Sequence, residues 1–314
     1  MKFLITGGAG FIGRWVVKKL LEEGQELHVF DNLSSGSRHN LEEFAGNETL
    51  RNVIVGDITD RKALHQAFAV KPDVCIHLAA QINVQESIDH PERSFDTNVL
   101  GTYNVMEEAR HVGAKVVVVG TCMVYDTSSE TPINERHPAK PMSPYAATKL
   151  AAEQLALSYY HCYGLPVVIA RPFNTYGPFQ RTDAEGGVVA VFIRNMRDRK
   201  PLQIFGDGTQ TRDLLYVDDC AAFITRAAIY DDAIGQVINA GTGKDVSINH
   251  LAELICSDKS QIVHVSHPHP QSEIKRLVCD ATKARDLLGW KPRMSLEDGI
   301  HRTRRWIENG EEAV

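Results

Sequence analysis

The chain has 314 residues, 43% of them hydrophobic and 24% charged, and carries a formal net charge of -6. That length can bury a substantial core, as one large domain or as a domain with a smaller lobe. The acidic balance, without a local Lys/Arg block, argues against a nucleic-acid footprint, and no stretch approaches the ~20 apolar residues of a membrane span.

In chain order, residues 2–6 (KFLIT), 27–31 (LHVFD), 53–57 (VIVGD), 74–80 (VCIHLAA) and 115–121 (KVVVVGT) read as strands buried on both faces. Helical patterns lie between them at 12–23, before Gly24, at 61–68, and at 98–111, before the C-cap residue Gly113. Repeated β-α-β units predict an α/β fold, a parallel sheet with helices on both faces. A helix over 143–163 and a strand over 166–173 follow. From residue 174 the pattern loosens into Gly-, Asp- and Thr-rich loops such as FGDGTQTRD, which predicts a smaller C-terminal α/β lobe. Residues 237–241 (VINAG) are expected to return to the main sheet.

The six cysteines (Cys75, Cys122, Cys162, Cys220, Cys256, Cys279) show no CxxC pairing, which fits free thiols in a reducing compartment. The apolar run at the N-terminus is short and broken by glycines, unlike a signal sequence, so the expected location is the cytoplasm. The segment HVSHPHP (His264, His267, His269) invites a metal reading, but no Cys or carboxylate spacing completes a site. An exposed loop and no metal are expected there.

Directly after the first strand comes GGAGFIG, with Gly7, Gly10 and Gly13 spaced as GxxGxxG. It opens a helix, and Asp31 ends the next strand; together these make a dinucleotide fingerprint of the doubly wound, Rossmann type. Gly7 permits a tight turn, Gly10 lets backbone N–H groups approach a pyrophosphate, and Gly13 allows close packing of helix on strand. The positive end of the helix faces the phosphates. Asp31 would accept from the adenosine ribose hydroxyls and repel a 2′-phosphate, and the following NLSSG holds no Arg, so NAD is favoured over NADP. Asp57-Ile58 stands either beside the adenine or, for Asp57, as a helix N-cap.

SPYAATKL places Tyr145 and Lys149 four residues apart on one helix face. A nearby ammonium favours the phenolate, which would make Tyr145 a general base near neutral pH. Lys149 can also hydrogen-bond a nicotinamide ribose. Thr121, at a strand's carboxyl end where such sheets bind ligands, can bridge the substrate oxygen and Tyr145.

With these motifs in view, the sequence resembles an extended short-chain dehydrogenase/reductase of the NAD-dependent nucleotide-sugar epimerase/dehydratase family, UDP-glucose 4-epimerase-like members most of all. The resemblance runs through TGGAGFIG, DNLSSG, GDITD, HLAA, Thr97-Asn98, VYD, YAATK, RPFNTYGP, IFGDGTQTRD, YVDD and NAGTG. It implies an NAD site lined by Gly7, Gly10, Phe11, Ile12, Gly13, Asp31, Asn32, Ser35, Gly36, Asp57, Ile58, Leu78, Ala79, Ala80, Asn98, Tyr145, Lys149 and Pro172. It implies a catalytic triad of Thr121, Tyr145 and Lys149. It also assigns the nucleotide and diphosphate of a sugar substrate to Asn174, Val188, Val189, Phe192, Gln203, Ile204, Phe205 and Arg212, for whose apolar members core packing is the competing reading. The guanidinium of Arg212 suits a phosphate, with an internal ion pair to Asp213 as the alternative. The implied division is an NAD-binding domain over 1–173 with a return around 236–245, and a nucleotide-sugar lobe over 174–314. Relatives pair the two long helices near 98–111 and 143–163 into a four-helix bundle, so a homodimer is expected by resemblance.

Three positions depart from the family pattern. Members that dehydrate a sugar carry a Glu, or an Asp-Glu pair, after the strand-end Thr; here Cys122 and Met123 stand there. A thioether transfers no proton, and a buried thiol is ordinarily inert, although a polarised Cys122 could act. Removing water across C5 and C6 needs an acid and a base, whereas epimerisation at C4 needs neither at these positions, so a 4-epimerase is the favoured reading. A 4,6- or 5,6-dehydratase with unusual acid/base groups is the alternative, and a non-catalytic NAD-binding sensor the second. In HPQSEIKR, Glu273 matches the acid of an R-x-G-D/E diphosphate clamp, while His269 or Pro270 falls where the Arg would be, and His269 could partly substitute. Asp126 follows VY where a Gly is common.

Overall fold

The structure is a computed structural model of the chain; it describes residues 1–126, 131–182, 187–267, 270 and 274–309. The first half runs β1 (Lys2–Thr6), α1 (Phe11–Glu22), β2 (Glu26–Asp31), β3 (Leu50–Val55), α2 (Arg61–Phe68), β4 (Val74–His77), α3 (Val84–Asp89), α4 (Pro91–Phe95), α5 (Thr102–Val112), β5 (Lys115–Val119), α6 (Pro144–Tyr163) and β6 (Val167–Pro172). The second runs β7 (Asn174–Tyr176), α7 (Val188–Arg197), β8 (Leu202–Phe205), β9 (Thr211–Arg212), β10 (Leu214–Tyr216), α8 (Val217–Ile229), β11 (Val237–Ala240), β12 (Val246–Ser247), α9 (Ile248–Ile255), β13 (Ile262–Val265), α10 (Thr282–Leu288) and α11 (Leu296–Asn309).

Seven strands form one parallel sheet in the order β11-β6-β5-β4-β1-β2-β3. Consecutive residues of β1 feed opposite cores: Phe3 and Ile5 pack with Val16 and Leu20 of α1 and Phe223 of α8, while Leu4 packs with Leu64 of α2, Met106 of α5 and Ala156 of α6. Both faces are therefore covered, and the strands read as continuous apolar runs because neither face meets water. β3 differs from the expected two-sided burial: it is the edge strand, and its residues are half-buried or exposed. β11 closes the other edge, as the VINAG segment predicts. α8 also packs on the sheet, so more of the second half returns to it than β11 alone.

Local chemistry sets the helix ends. Asp60 caps α2 by accepting from Lys62 and Ala63 N–H, and Ser143 caps α6, with Pro144 in the first turn and left-handed Gly164 at its end. The expected single helix over 98–111 is instead the end of a π turn over Asp96–Gly101 followed by α5, with α4 immediately before the turn. A third apolar cluster joins Val189, Phe192 and Ile193 of α7 to Ile204 of β8, Leu251 of α9 and Ile307 of α11. No helix among the described residues is long and apolar enough to cross a membrane.

Candidate active site

Sheet order reverses between β1 and β4, and in open α/β sheets ligands bind outside the carboxyl ends of the strands at such a point. A cavity opens there. The turn after β1 is closed so tightly that side chains are excluded: Gly7 has φ +73°, and a Cβ on Gly13 would stand 2.1 Å from the Gly7 carbonyl oxygen. Loop and helix thus touch backbone to backbone, and the first turn of α1, which has no side-chain cap, lines the cavity. At the end of β2, Asp31 Oδ2 accepts from Ala9 N at 2.9 Å and Oδ1 from Leu33 N at 2.8 Å. Burial raises its pKa and these two donors oppose the rise.

Of the residues implied for the cofactor, Gly7, Gly10, Phe11, Ile12, Gly13, Asp31, Asn32, Ser35, Ile58, Leu78, Ala79, Ala80, Tyr145, Lys149 and Pro172 all line this cavity. Gly36, Asp57 and Asn98 stand just behind the wall. A Cβ on Gly36 would lie 2.6 Å from Ala9 O, so this residue backs the glycine turn. Asp57 does not cap α2; it accepts from Thr59 N and Oγ1 and from Asn32 Nδ2, bracing Asn32. Asn98 bonds the Gln81 backbone through both ends of its amide and donates to Thr148 Oγ1, tying the loop after β4 to α6. Phe30, Ser34, Gly56, Ile82, Thr97, Val119 and Gly120 complete the lining. Most of them adjoin a motif residue, and that adjacency was the available signal.

Tyr145 and Lys149 project from the first two turns of α6 and are buried. Lys149 Nζ donates to Val119 O at 2.7 Å. Burial lowers its pKa to about 8, with Glu153 opposing. Burial also pushes the Tyr145 phenol up to about 12, and the strongest opposing influence is the Thr121 hydroxyl, not the ammonium that the sequence spacing points to. Thr121 itself lies just past the end of β5 and caps the short turn Cys122–Val124 by accepting from Met123 N.

Cys122 is buried, its Sγ 3.9 Å from Asn174 Oδ1. Burial raises its pKa to about 12, against the Arg212 charge, so the thiol stays protonated. Met123 packs against the apolar cluster of Val124, Phe173, Ile274 and Leu277. The residues implied for the substrate are dispersed. Val189, Phe192 and Ile204 sit in the third apolar core with Val188 against it, while Gln203 and Phe205 face outward on β8. An Nη of Arg212 donates to Thr211 O and Ile274 O at 2.8 and 2.7 Å. Asp213 accepts instead from Thr242, Gly243 and Cys279 N–H groups. His269 and Glu273 lie outside the described residues. His264 bonds Asn249 Oδ1, and His267 lies edge-on to Phe205.

A glycine cradle at the switch point of a doubly wound sheet, beside a buried Tyr/Lys pair, defines an extended short-chain dehydrogenase/reductase. More narrowly, the chain belongs to the GDP-mannose 4,6-dehydratase family, whose family model matches residues 4–303. It is 37% identical over 316 residues to a UDP-glucose 4-epimerase of Mycolicibacterium smegmatis, covering 98% of this chain and 99% of that one. Among solved structures it is similar to Pal from Bacillus thuringiensis, at 53% identity and a TM-score of 0.97, over 98% of this chain and 99% of that one. It is also similar to DesIV, a dTDP-glucose 4,6-dehydratase from Streptomyces venezuelae solved with NAD bound, at 32% identity and a TM-score of 0.92, over 99% and 98% of the two chains.

Proposed function

We propose that the chain is an NAD-dependent nucleotide-sugar 4-epimerase. The observation that carries this reading is the neighbourhood of Thr121: a buried Tyr145 and Lys149 on one side, and a protonated thiol and a thioether where an elimination would need its acid and base. The cradle suits the cofactor, since the turn that excludes every side chain at Gly7 and Gly13 leaves backbone N–H groups for a pyrophosphate, and Asp31 stands where ribose hydroxyls would lie.

NAD held there would supply the hydride acceptor and donor for C4 of the sugar. Tyr145 takes the proton of the C4 hydroxyl as that hydride leaves, giving a 4-keto sugar. Thr121 holds the same oxygen and its hydroxyl is the strongest influence toward the phenolate of Tyr145, while Lys149, as an ammonium, would hold the nicotinamide ribose. The keto sugar turns over in the pocket, and Tyr145 gives the proton back to the same oxygen when the hydride would return to the other face. Proton and hydride are both restored, so no net oxidation occurs. Cys122 is a buried thiol turned to Asn174 and Met123 a thioether that carries no proton, so no carboxylate stands after Thr121 to serve as C5 base, which counts against the dehydratase alternative.

In this reading residues 1–173 with the β11 return hold the cofactor, and 174–314 mainly hold the nucleotide sugar, with Asn174, Gln203, Phe205, Arg212, His269 and Glu273 as its contacts. A homodimer is part of the same proposal: Phe95, Leu100, Tyr103 and Tyr163, on α4, the π turn, α5 and α6, are exposed apolar side chains on the helices expected to pair. Five of the six free cysteines are buried, which is compatible with a cytoplasmic location.

The test is incubation with UDP-, dTDP-, GDP- and CDP-hexoses in D2O, followed by NMR. A C4 epimer free of solvent deuterium is expected. A 4-keto-6-deoxy product deuterated at C5 or C6 would show elimination instead, and binding of NAD without turnover of any sugar would show a sensor.

A further inference from the structure

Behind the cavity lies a charge that the reaction scheme does not use. Glu153 follows Lys149 by one turn of α6 and is fully buried. Arg171 of β6 holds it from the sheet, with Nε donating to Oε2 at 2.9 Å and an Nη at 2.5 Å. Arg171 is itself held: its guanidinium lies 4.9 Å from the Tyr125 ring, and Tyr125 Oη donates to Asn239 Oδ1 at 2.7 Å. The second carboxylate oxygen, Oε1, makes no well-aligned hydrogen bond among the described residues, and the backbone donor acting on the carboxylate is the Thr121 N–H. Oε1 fills the space a side chain on Gly120 would need, since a Cβ there would stand 2.0 Å from it. The peptide leading into Thr121 therefore runs directly over the carboxylate. A buried ion pair is a weak source of stability, because desolvation offsets much of the attraction, so its position beneath the site calls for another account.

We propose that Glu153, clamped by Arg171, is a positioning residue that keeps Lys149 protonated and fixes the Gly120–Thr121 peptide above it. This rests on the reading of Tyr145 and Lys149 as the redox pair. The groups facing that pair are few. From α6 come Tyr145, Lys149 and Glu153. From β4 comes His77, held neutral with a pKa near 3. From the turn after β5 comes the protonated Cys122 thiol, and from β6 Arg171, behind Glu153. Glu153 is thus the anion among them. Its effect on Lys149 is direct, and it is the opposing charge to the burial that lowers the ammonium. On Tyr145, two turns away, it is the smallest of the influences, so removing it harms Lys149 more than it helps the phenolate. Glu153→Gln also leaves Arg171 uncompensated, which pushes Lys149 further in the same direction.

The experiment is an NMR titration of 13Cε-lysine-labelled protein saturated with NAD, with the Lys149 signal assigned through Lys149→Met. Glu153→Gln is expected to lower the Lys149 midpoint by about one pH unit, with a matching shift of the alkaline limb of kcat and an unchanged KM. The double variant Glu153→Gln/Arg171→Met removes both charges, carries the test if the single variant does not fold, and is expected to lower the midpoint by less. A cooperatively folding variant whose Lys149 midpoint stays at the wild-type value would overturn the proposal. If the wild-type protein turns over no nucleotide sugar, the redox reading fails while the titration still decides the role of Glu153.

Discussion

The two sides of the cleft are built on different principles. On the cofactor side the constraints act on backbone: Gly7 must take φ +73°, Gly13 must carry no Cβ, and Asp31 is pinned by Ala9 and Leu33 N–H groups. On the side proposed for the sugar the corresponding residues are ordinary amphipathic elements, with Val189, Phe192 and Ile204 turned into a core of their own and Gln203 and Phe205 turned out. A backbone constraint admits almost no substitution, whereas a side-chain contact can be supplied from many places. Such a cradle can serve many sugars while the opposite wall varies.

The largest expected effect that would break this contrast is at the chemistry itself. Tyr145→Phe should lower kcat by about 10³-fold while NAD affinity, read by calorimetry, is kept. Gly13→Ala should fail on the cofactor side, with NAD affinity falling at least about 100-fold, because the clash is with main chain and cannot relax. Phe192→Ala should act on the fold: about 3–5 kcal/mol of stability lost in denaturant melts, with kcat of the remaining folded protein little changed. Were it instead to raise KM in a fully stable protein, Phe192 would belong to the pocket and not to the core.

A subtler separation comes from pH. The Lys149 ammonium has its pKa lowered to about 8, so it is present below that value and lost above it. Activity should accordingly fall as pH rises through about 8 in a kcat profile, with NAD binding following only partly. The smallest effect is expected at Gln203→Ala, an exposed strand position: within about 0.5 kcal/mol in stability, so that any rise in KM reports substrate contact alone.

The same division governs what could be read from sequence. Gly7, Gly10, Gly13, Asp31, Tyr145 and Lys149 were legible because spacing and residue type alone state the physical requirement. The parallel sheet was legible from runs such as KVVVV, since burial on both faces removes the polar alternation. β3 was misjudged because nothing local in VIVGD says that its strand lies at an edge. The π turn over Asp96–Gly101 hid within an unbroken helical pattern. Glu153 and Arg171 carry no signal in the sequence motifs, and only the crossing of α6 over β6 makes them a buried pair. The pKa of Tyr145 misled for a similar reason: four-residue spacing promises an ammonium nearby, but burial of the phenol outweighs it.

The central claim is that one hydride leaves C4 and comes back to C4. It is tested most directly with an NDP-hexose carrying deuterium at C4, turned over to equilibrium in ordinary water. The account predicts that both epimers keep the deuterium at C4, with no label found elsewhere. Deuterium moved to C6, or lost to water, would contradict it.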